Sequence, residues 1–172
     1  MARSLFRAAL VALLALGAVR TAEAQVGLSL GLMGGAALPQ GDFGDAFDTG
    51  WHAQAALGLR FPLVPVGLRV EGTYASFPSN VDGQSDASVL GLGATGVYDL
   101  PVPVVTPYLL GGVGYYRAEL DDTENKFGWN AGAGVRLRLV GLTPFIEARY
   151  YSIDLPGAAR MEYVPVTIGL TF

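Results

Sequence analysis

The sequence predicts an all-β fold, an eight-stranded antiparallel up-and-down transmembrane β-barrel preceded by a signal peptide. Three observations carry this. After residue 25 the apolar residues recur with a period of two, which marks strands with two different faces. Eight such segments follow one another, and their connections alternate between short uncharged turns and longer acidic loops. The composition agrees: of 172 residues 51% are hydrophobic, 15% are charged and 24 are glycine. With a mean hydropathy of +0.39, the chain is too apolar for an ordinary soluble domain and too glycine-rich for a helical one.

The first element is the leader MARSLFRAALVALLALGAVRTAEAQ. Arg3 and Arg7 precede an apolar run from Ala8 to Val19, and Ala22-Glu23-Ala24 offers a small-residue cleavage site, the pattern of a secretory signal peptide. The run of 12 residues falls short of the roughly 20 that span a bilayer as a helix. Residues 1–24 are therefore read as a removable signal peptide and 25–172 as one exported barrel domain.

The strands are expected at about 26–38, 51–61, 67–77, 88–100, 107–118, 127–139, 145–154 and 163–172. In WHAQAALGLRF (51–61) Trp51, Ala53, Ala55, Leu57, Leu59 and Phe61 oppose His52, Gln54 and Arg60. In FGWNAGAGVRLRL (127–139) Phe127, Trp129, Ala131, Ala133, Val135, Leu137 and Leu139 oppose Asn130, Arg136 and Arg138. PLVPV (62–66), PVPVVT (101–106) and VGLT (140–143) make short turns at one end. PQGDFGDAFDTG (39–50), PSNVDGQSDA (78–87), ELDDTENK (119–126) and LPGAARME (155–162) make longer loops at the other. Pro62, Pro101 and the turn near Val140 are spaced by 39 residues, and TPY (106–108) recurs as TPF (143–145). The repeating unit is one hairpin.

The polar faces are thin. Gly91, Gly93, Thr95, Gly132, Gly134, Thr167 and Thr171 lie on them, and their charges fall into partners. A register set by the VGLT turn puts Arg136 opposite Glu147, with Arg149 one pair further up. Arg69, Glu71, Asp99 and Arg138 complete an expected set of lumen ion pairs. The other face is a charge-poor band suited to lipid, where a closed barrel satisfies every backbone N–H and C=O. Aromatic residues mark the band's two edges. By alternation Phe61, Tyr98, Tyr108 and Phe172 are expected outward near the short turns, and Trp51, Tyr74, Tyr116 and Trp129 near the long loops. Phe172 then reads as the last lipid-facing residue of a closing strand that pairs with the strand beginning near Val26, leaving no edge.

Several functions are excluded or set aside. A net charge of −4 and a pI near 4.8 argue against a nucleic-acid partner. With no cysteine, neither a disulfide framework nor a cysteine-based metal site is available. GLGATG (91–96) matches a dinucleotide-binding glycine pattern in letters, but VYDLPVPVVTP follows it where a helix would be needed. No cofactor is expected. Asp42, Asp45 and Asp48, together with Asp82, Asp86, Asp121, Asp122 and Glu124, form an acidic rim able in principle to meet divalent cations bridging lipopolysaccharide. Their spacing fits no calcium loop, so no metal site is assigned. His52 is the single histidine, and a lipid-modifying hydrolase would need a serine beside it; none is spaced to face it on its own strand. Eight strands also enclose too little space for a general aqueous porin.

PYLLGGVGYY (107–116), WNAGAGVRLRL (129–139), PFIEARYYSI (144–153) and the terminal VPVTIGLTF resemble the small outer-membrane β-barrel superfamily of Gram-negative-type bacteria, which holds OmpA-like, OmpX-like, OmpW-like and opacity-type porin-family proteins. The resemblance implies an outer-membrane setting of lipid and lipopolysaccharide. It also implies that Phe172, Leu170 and Ile168 form the signal read by the barrel-assembly machinery. No peptidoglycan-binding domain follows the barrel, so wall anchoring is not expected. The function expected is non-enzymatic: a structural or interaction barrel with a side-chain-filled lumen, offering acidic loops to a surface partner. The alternatives are an OmpW-like conduit for small hydrophobic molecules, with Leu109, Val113 and Tyr115 lining the lumen, a soluble periplasmic lipocalin-like binder, and a lipid-modifying membrane enzyme.

Overall fold

The computed structural model describes residues 27–61, 65–81, 83, 85–100, 102, 104–119, 123–154 and 160–172. The proposed leader lies outside them. Eight strands, β1 (Gly27–Gln40), β2 (Gly50–Arg60), β3 (Val66–Phe77), β4 (Ala87–Asp99), β5 (Val105–Glu119), β6 (Thr123–Leu137), β7 (Thr143–Asp154) and β8 (Arg160–Thr171), are joined by one short helix, α1 (Gly41–Ala46). Each strand pairs with its neighbours in chain order, and β8 returns to β1 to close the ring. The closing seam runs antiparallel from Gly31↔Thr171 to Gln40↔Glu162, and Phe172 and Leu30 exchange both backbone hydrogen bonds (2.9 and 3.1 Å). No edge remains to be covered.

Two expectations about connections are corrected. ELDDTENK is largely strand: β5 and β6 pair up to Glu119↔Thr123, so this stretch continues the hairpin in place of the expected loop of eight residues. The β6–β7 register is also displaced by two residues, with Arg136 opposite Phe145, Gly134 opposite Glu147 and Gly132 opposite Arg149. The reversal falls one residue earlier because Gly141 takes the left-handed conformation (φ 79°) that a tight return needs and that glycine adopts without penalty.

The outer wall is continuous apolar surface. On β2 it runs Trp51, Ala53, Ala55, Leu57, Leu59 to Phe61, ten residue steps. At about 3.3 Å per residue and a tilt of about 40° this spans roughly 25 Å, the height of an outer-membrane barrel's apolar band. Between the aromatic levels no outward-facing described residue on any strand carries a formal charge. Trp51, Phe61, Tyr74, Tyr98, Trp129 and Phe172 are all exposed on this wall, with Trp51 packed on Tyr74 (5.3 Å) and Trp129 on Tyr150 (5.6 Å).

Tyr108 and Tyr116 correct the girdle assignment: both are buried in the lumen, at 1% and 2% exposure. The parity of β5 is inverted from the expectation because the cross-strand partner of each ring is a glycine. Tyr108 pairs with Gly134 and Tyr116 with Gly91, and a Cβ at either glycine would run into the ring. The missing side chains make room for aromatic rings inside. The same inversion places Leu109, Val113 and Tyr115 outside, at 53%, 49% and 70% exposure, so they line the lipid face and not a conduit. Tyr115 joins Phe127 (6.0 Å) at the long-loop aromatic level.

Candidate functional site

Among the described residues the lumen is where polar side chains gather, and it is filled in three layers. Inward positions alternate with lipid-facing ones on every strand, so each layer is assembled from single residues contributed by several strands.

The layer under the long loops is aromatic. Helix α1 folds over the mouth and points Phe43 inward, with Phe47 following directly after it. Phe43 packs on Phe47 (4.7 Å) and edge-on against Phe77 (5.1 Å). Phe77 meets Tyr163 (5.1 Å), which stacks on Tyr151 at 5.0 Å and 7°. The cap is tied down by Asp48 N–H to Pro78 O (2.9 Å) and Asn80 N–H to Ala46 O (3.2 Å). Sequence reasoning missed this plug. Its signal was Phe43 and Phe47 four residues apart, a helical spacing within a stretch read as an acidic loop.

The middle layer is an ion-pair network. Arg149, 2% exposed, holds Glu71 in a two-pronged contact (Nη1–Oε2 2.6 Å, Nη2–Oε1 2.7 Å) and donates from Nε to Glu147. Arg69 reaches Glu147 (2.8 Å) and Glu71 (3.4 Å). The Tyr108 hydroxyl donates to Glu147 and the Thr95 hydroxyl to Glu71, each at 2.8 Å. Two cations and two anions thus neutralise each other, with oxygens and guanidinium forks nearly all engaged, the condition under which buried charge is tolerable. Gln54 links this layer to the plug through Thr73 (3.0 Å) and the Tyr151 hydroxyl (2.9 Å).

The third layer faces the short turns. Asp99 receives Arg136 at 3.0 Å, Arg138 at 3.4 Å and Arg60 at 3.9 Å. Arg136 also lies over the Tyr108 ring, 4.2 Å from its centre. The expected Arg136–Glu147 pair is therefore absent: the shifted register gives Arg136 to Asp99 and Glu147 to Arg69 and Arg149. Arg60 had been placed on the polar face but not among the ion pairs, because its partner lies two strands away.

The remaining candidates fall outside this arrangement. His52 is buried in the lumen with Nε2 3.1 Å from the Thr167 hydroxyl. Asp42, Asp45 and Asp48 are exposed on and beside α1, while Asp121 and Asp122 lie outside the described residues. Among the described residues no group of three potential ligands converges on a metal position. The GLGATG segment lies within β4 with no helix after it, so it holds no phosphate. Ile168, Leu170 and Phe172 alternate along the outer wall of the closing strand, all exposed.

A closed antiparallel barrel with a charge-free outer wall, aromatic levels and a polar interior defines an integral membrane barrel. Residues 8–169 match the family described as the outer membrane protein beta-barrel domain. The chain belongs to that family and is an outer-membrane protein. No curated protein matches it in sequence. Among solved structures it is similar to Neisserial surface protein A, NspA (TM-score 0.69, 18% identity, 84% of this chain and 95% of that one). It is similar also to the outer membrane enzyme PagL (TM-score 0.54, 13% identity, 84% and 98%). The N-terminal β-barrel domain of Pseudomonas aeruginosa OprF matches with a TM-score of 0.50, 15% identity and coverage of 86% and 100%. At these identities the likeness is one of fold.

Proposed function

We propose that this protein is a sealed structural and interaction barrel of the outer membrane: a rigid wall element that neither conducts nor catalyses and that presents acidic loops at the outer face. The observation that carries this reading is the doubly blocked lumen, with the Arg69–Glu71–Glu147–Arg149 network in the middle and the Phe43–Phe47–Phe77–Tyr163 plug above it. The conduit reading loses its support, since its lining residues Leu109, Val113 and Tyr115 face lipid.

A catalytic reading needs a nucleophile and base that an acyl chain can reach. His52 and Thr167 meet at 3.1 Å, but both are buried between the two blocks, away from any acyl chain in the bilayer. The likeness to the enzyme PagL is one of fold and does not transfer chemistry.

The test is conductance and hydrolysis on the same refolded sample. The protein in planar bilayers is expected to be silent, and incubation with lipopolysaccharide or phospholipid is expected to release no fatty acid. Steady single-channel current from the parent protein would replace this reading with a conduit. Fatty-acid release that disappears in His52→Ala would replace it with an enzyme.

A further inference from the structure

Below the neutral network, at the short-turn mouth, the charges do not cancel. Arg60, Arg136 and Arg138 converge on the single carboxylate of Asp99, which leaves two positive charges in excess. Arg69, which also lines this space, does not add to them, because it is committed to Glu147 and Glu71. The mouth opens into a small cavity of about 50 Å³. It is lined by Arg60, Asp99, Arg136, Thr143 and Thr171 among others, with Met33 and Phe145 on its apolar side, and Arg138 stands at its rim through Asp99. Arg60 and Arg138 are about half exposed (48% and 53%), so their guanidinium groups can turn toward a ligand without unfolding anything.

We propose that this cavity is a binding site for a phosphoryl group. Guanidinium forks match tetrahedral phosphate oxygens with paired hydrogen bonds. An excess of two positive charges matches a phosphate monoester dianion better than a carboxylate. Apolar contacts beside the cations lower the local dielectric and strengthen the attraction. Short turns of such barrels face the periplasm, and the site lies at the level of Phe61, Tyr98 and Phe172. Two sources of the same chemistry can therefore reach it: the headgroup phosphate of an inner-leaflet lipid, or a soluble phosphate ester. The site is independent of whether the lumen above it is sealed.

The experiment uses the full mature barrel in maltoside micelles, which contain no phosphate, with folding verified by the heat-dependent shift in gel migration. Inorganic phosphate is titrated calorimetrically at matched ionic strength. In parallel, retention of phosphatidic acid, whose headgroup is a phosphate monoester, doped into the micelles is read by native mass spectrometry. The double variant Arg60→Gln/Arg138→Gln removes only half-exposed groups and is expected to weaken binding about tenfold, since each charge-assisted contact is a modest term. Asp99→Asn is expected to tighten it by removing the competing carboxylate. Saturable phosphate binding with this dependence supports the site with a soluble source. Lipid retention alone with the same dependence supports it with a headgroup source. No binding of either probe, or equal binding by parent and double variant, overturns the proposal.

Discussion

Removing Arg149 tests the central network most directly. Arg149→Met deletes both contacts to Glu71 (2.6 and 2.7 Å), the Nε contact to Glu147 and the bond to the Tyr151 hydroxyl (3.3 Å). What remains is one guanidinium, Arg69, facing two buried carboxylates. Glu71 keeps only Arg69 at 3.4 Å and the Thr95 hydroxyl at 2.8 Å. Breaking one partner out of a buried charge set costs about 3–5 kcal/mol. With a urea dependence of about 2 kcal/mol per molar, the unfolding midpoint in lipid vesicles should fall by about 2 M. The two tryptophans, Trp51 and Trp129, both lie on the lipid face, so their emission reports departure from the bilayer. Arg149→Met/Glu71→Gln restores neutrality and should recover about 2 kcal/mol of that loss as a coupling between contacting sites. A single-variant cost below about 1 kcal/mol, or strict additivity in the double, would show that the network is solvated and that burial of charge does not organise this lumen.

Four further outcomes follow from the same geometry. Gly134→Val should cost about 1–3 kcal/mol by overpacking against Tyr108, whereas Gly72→Val, with nothing within 4 Å of the added carbon, should be neutral or stabilising; urea midpoints compare them. Leu57→Arg, close to the midpoint between Trp51 and Phe61 on the lipid wall, should destabilise by about 2–4 kcal/mol in a bilayer, read by the same titration. Val104 holds a left-handed backbone (φ 71°) that a β-branched residue avoids, so Val104→Gly should stabilise by about 1 kcal/mol. Deleting Phe172 removes both backbone bonds to Leu30 and an outward aromatic. Assembly into outer membranes should slow when the assembly machinery is limiting, and unchanged insertion kinetics would reject the assembly role proposed for the terminal strand.

The strands were legible because alternation survives wherever one face meets lipid and the other a polar lumen. Trp51 through Phe61 and Phe127 through Leu137 spelled out their own orientation. Legibility failed on β5, where Tyr108-Leu109-Leu110 and Tyr115-Tyr116 put apolar bulk on both parities, and only the glycines on neighbouring strands decide which ring turns inward. Arg69, Glu71, Glu147 and Arg149 could be named as lumen charges from their strands alone, since polar parity suffices for that. Their partners could not, because a two-residue displacement at Gly141 reassigns Arg136 from Glu147 to Asp99. Phe43 and Phe47 stayed hidden for another reason: a six-residue helix inside an acidic connection leaves only one helical interval to notice.

The ring closure between β1 and β8 also sets the order in which this protein can be made. Its ten residue pairs join segments more than a hundred positions apart, the most expensive contact in the molecule to bring together from an open chain. Until β8 arrives, seven strands would present two raw edges to hydrocarbon, where each unsatisfied amide costs several kcal/mol. Partial barrels are therefore poor intermediates in a bilayer, and the eighth strand in chain order is also the one whose arrival decides whether the other seven can remain.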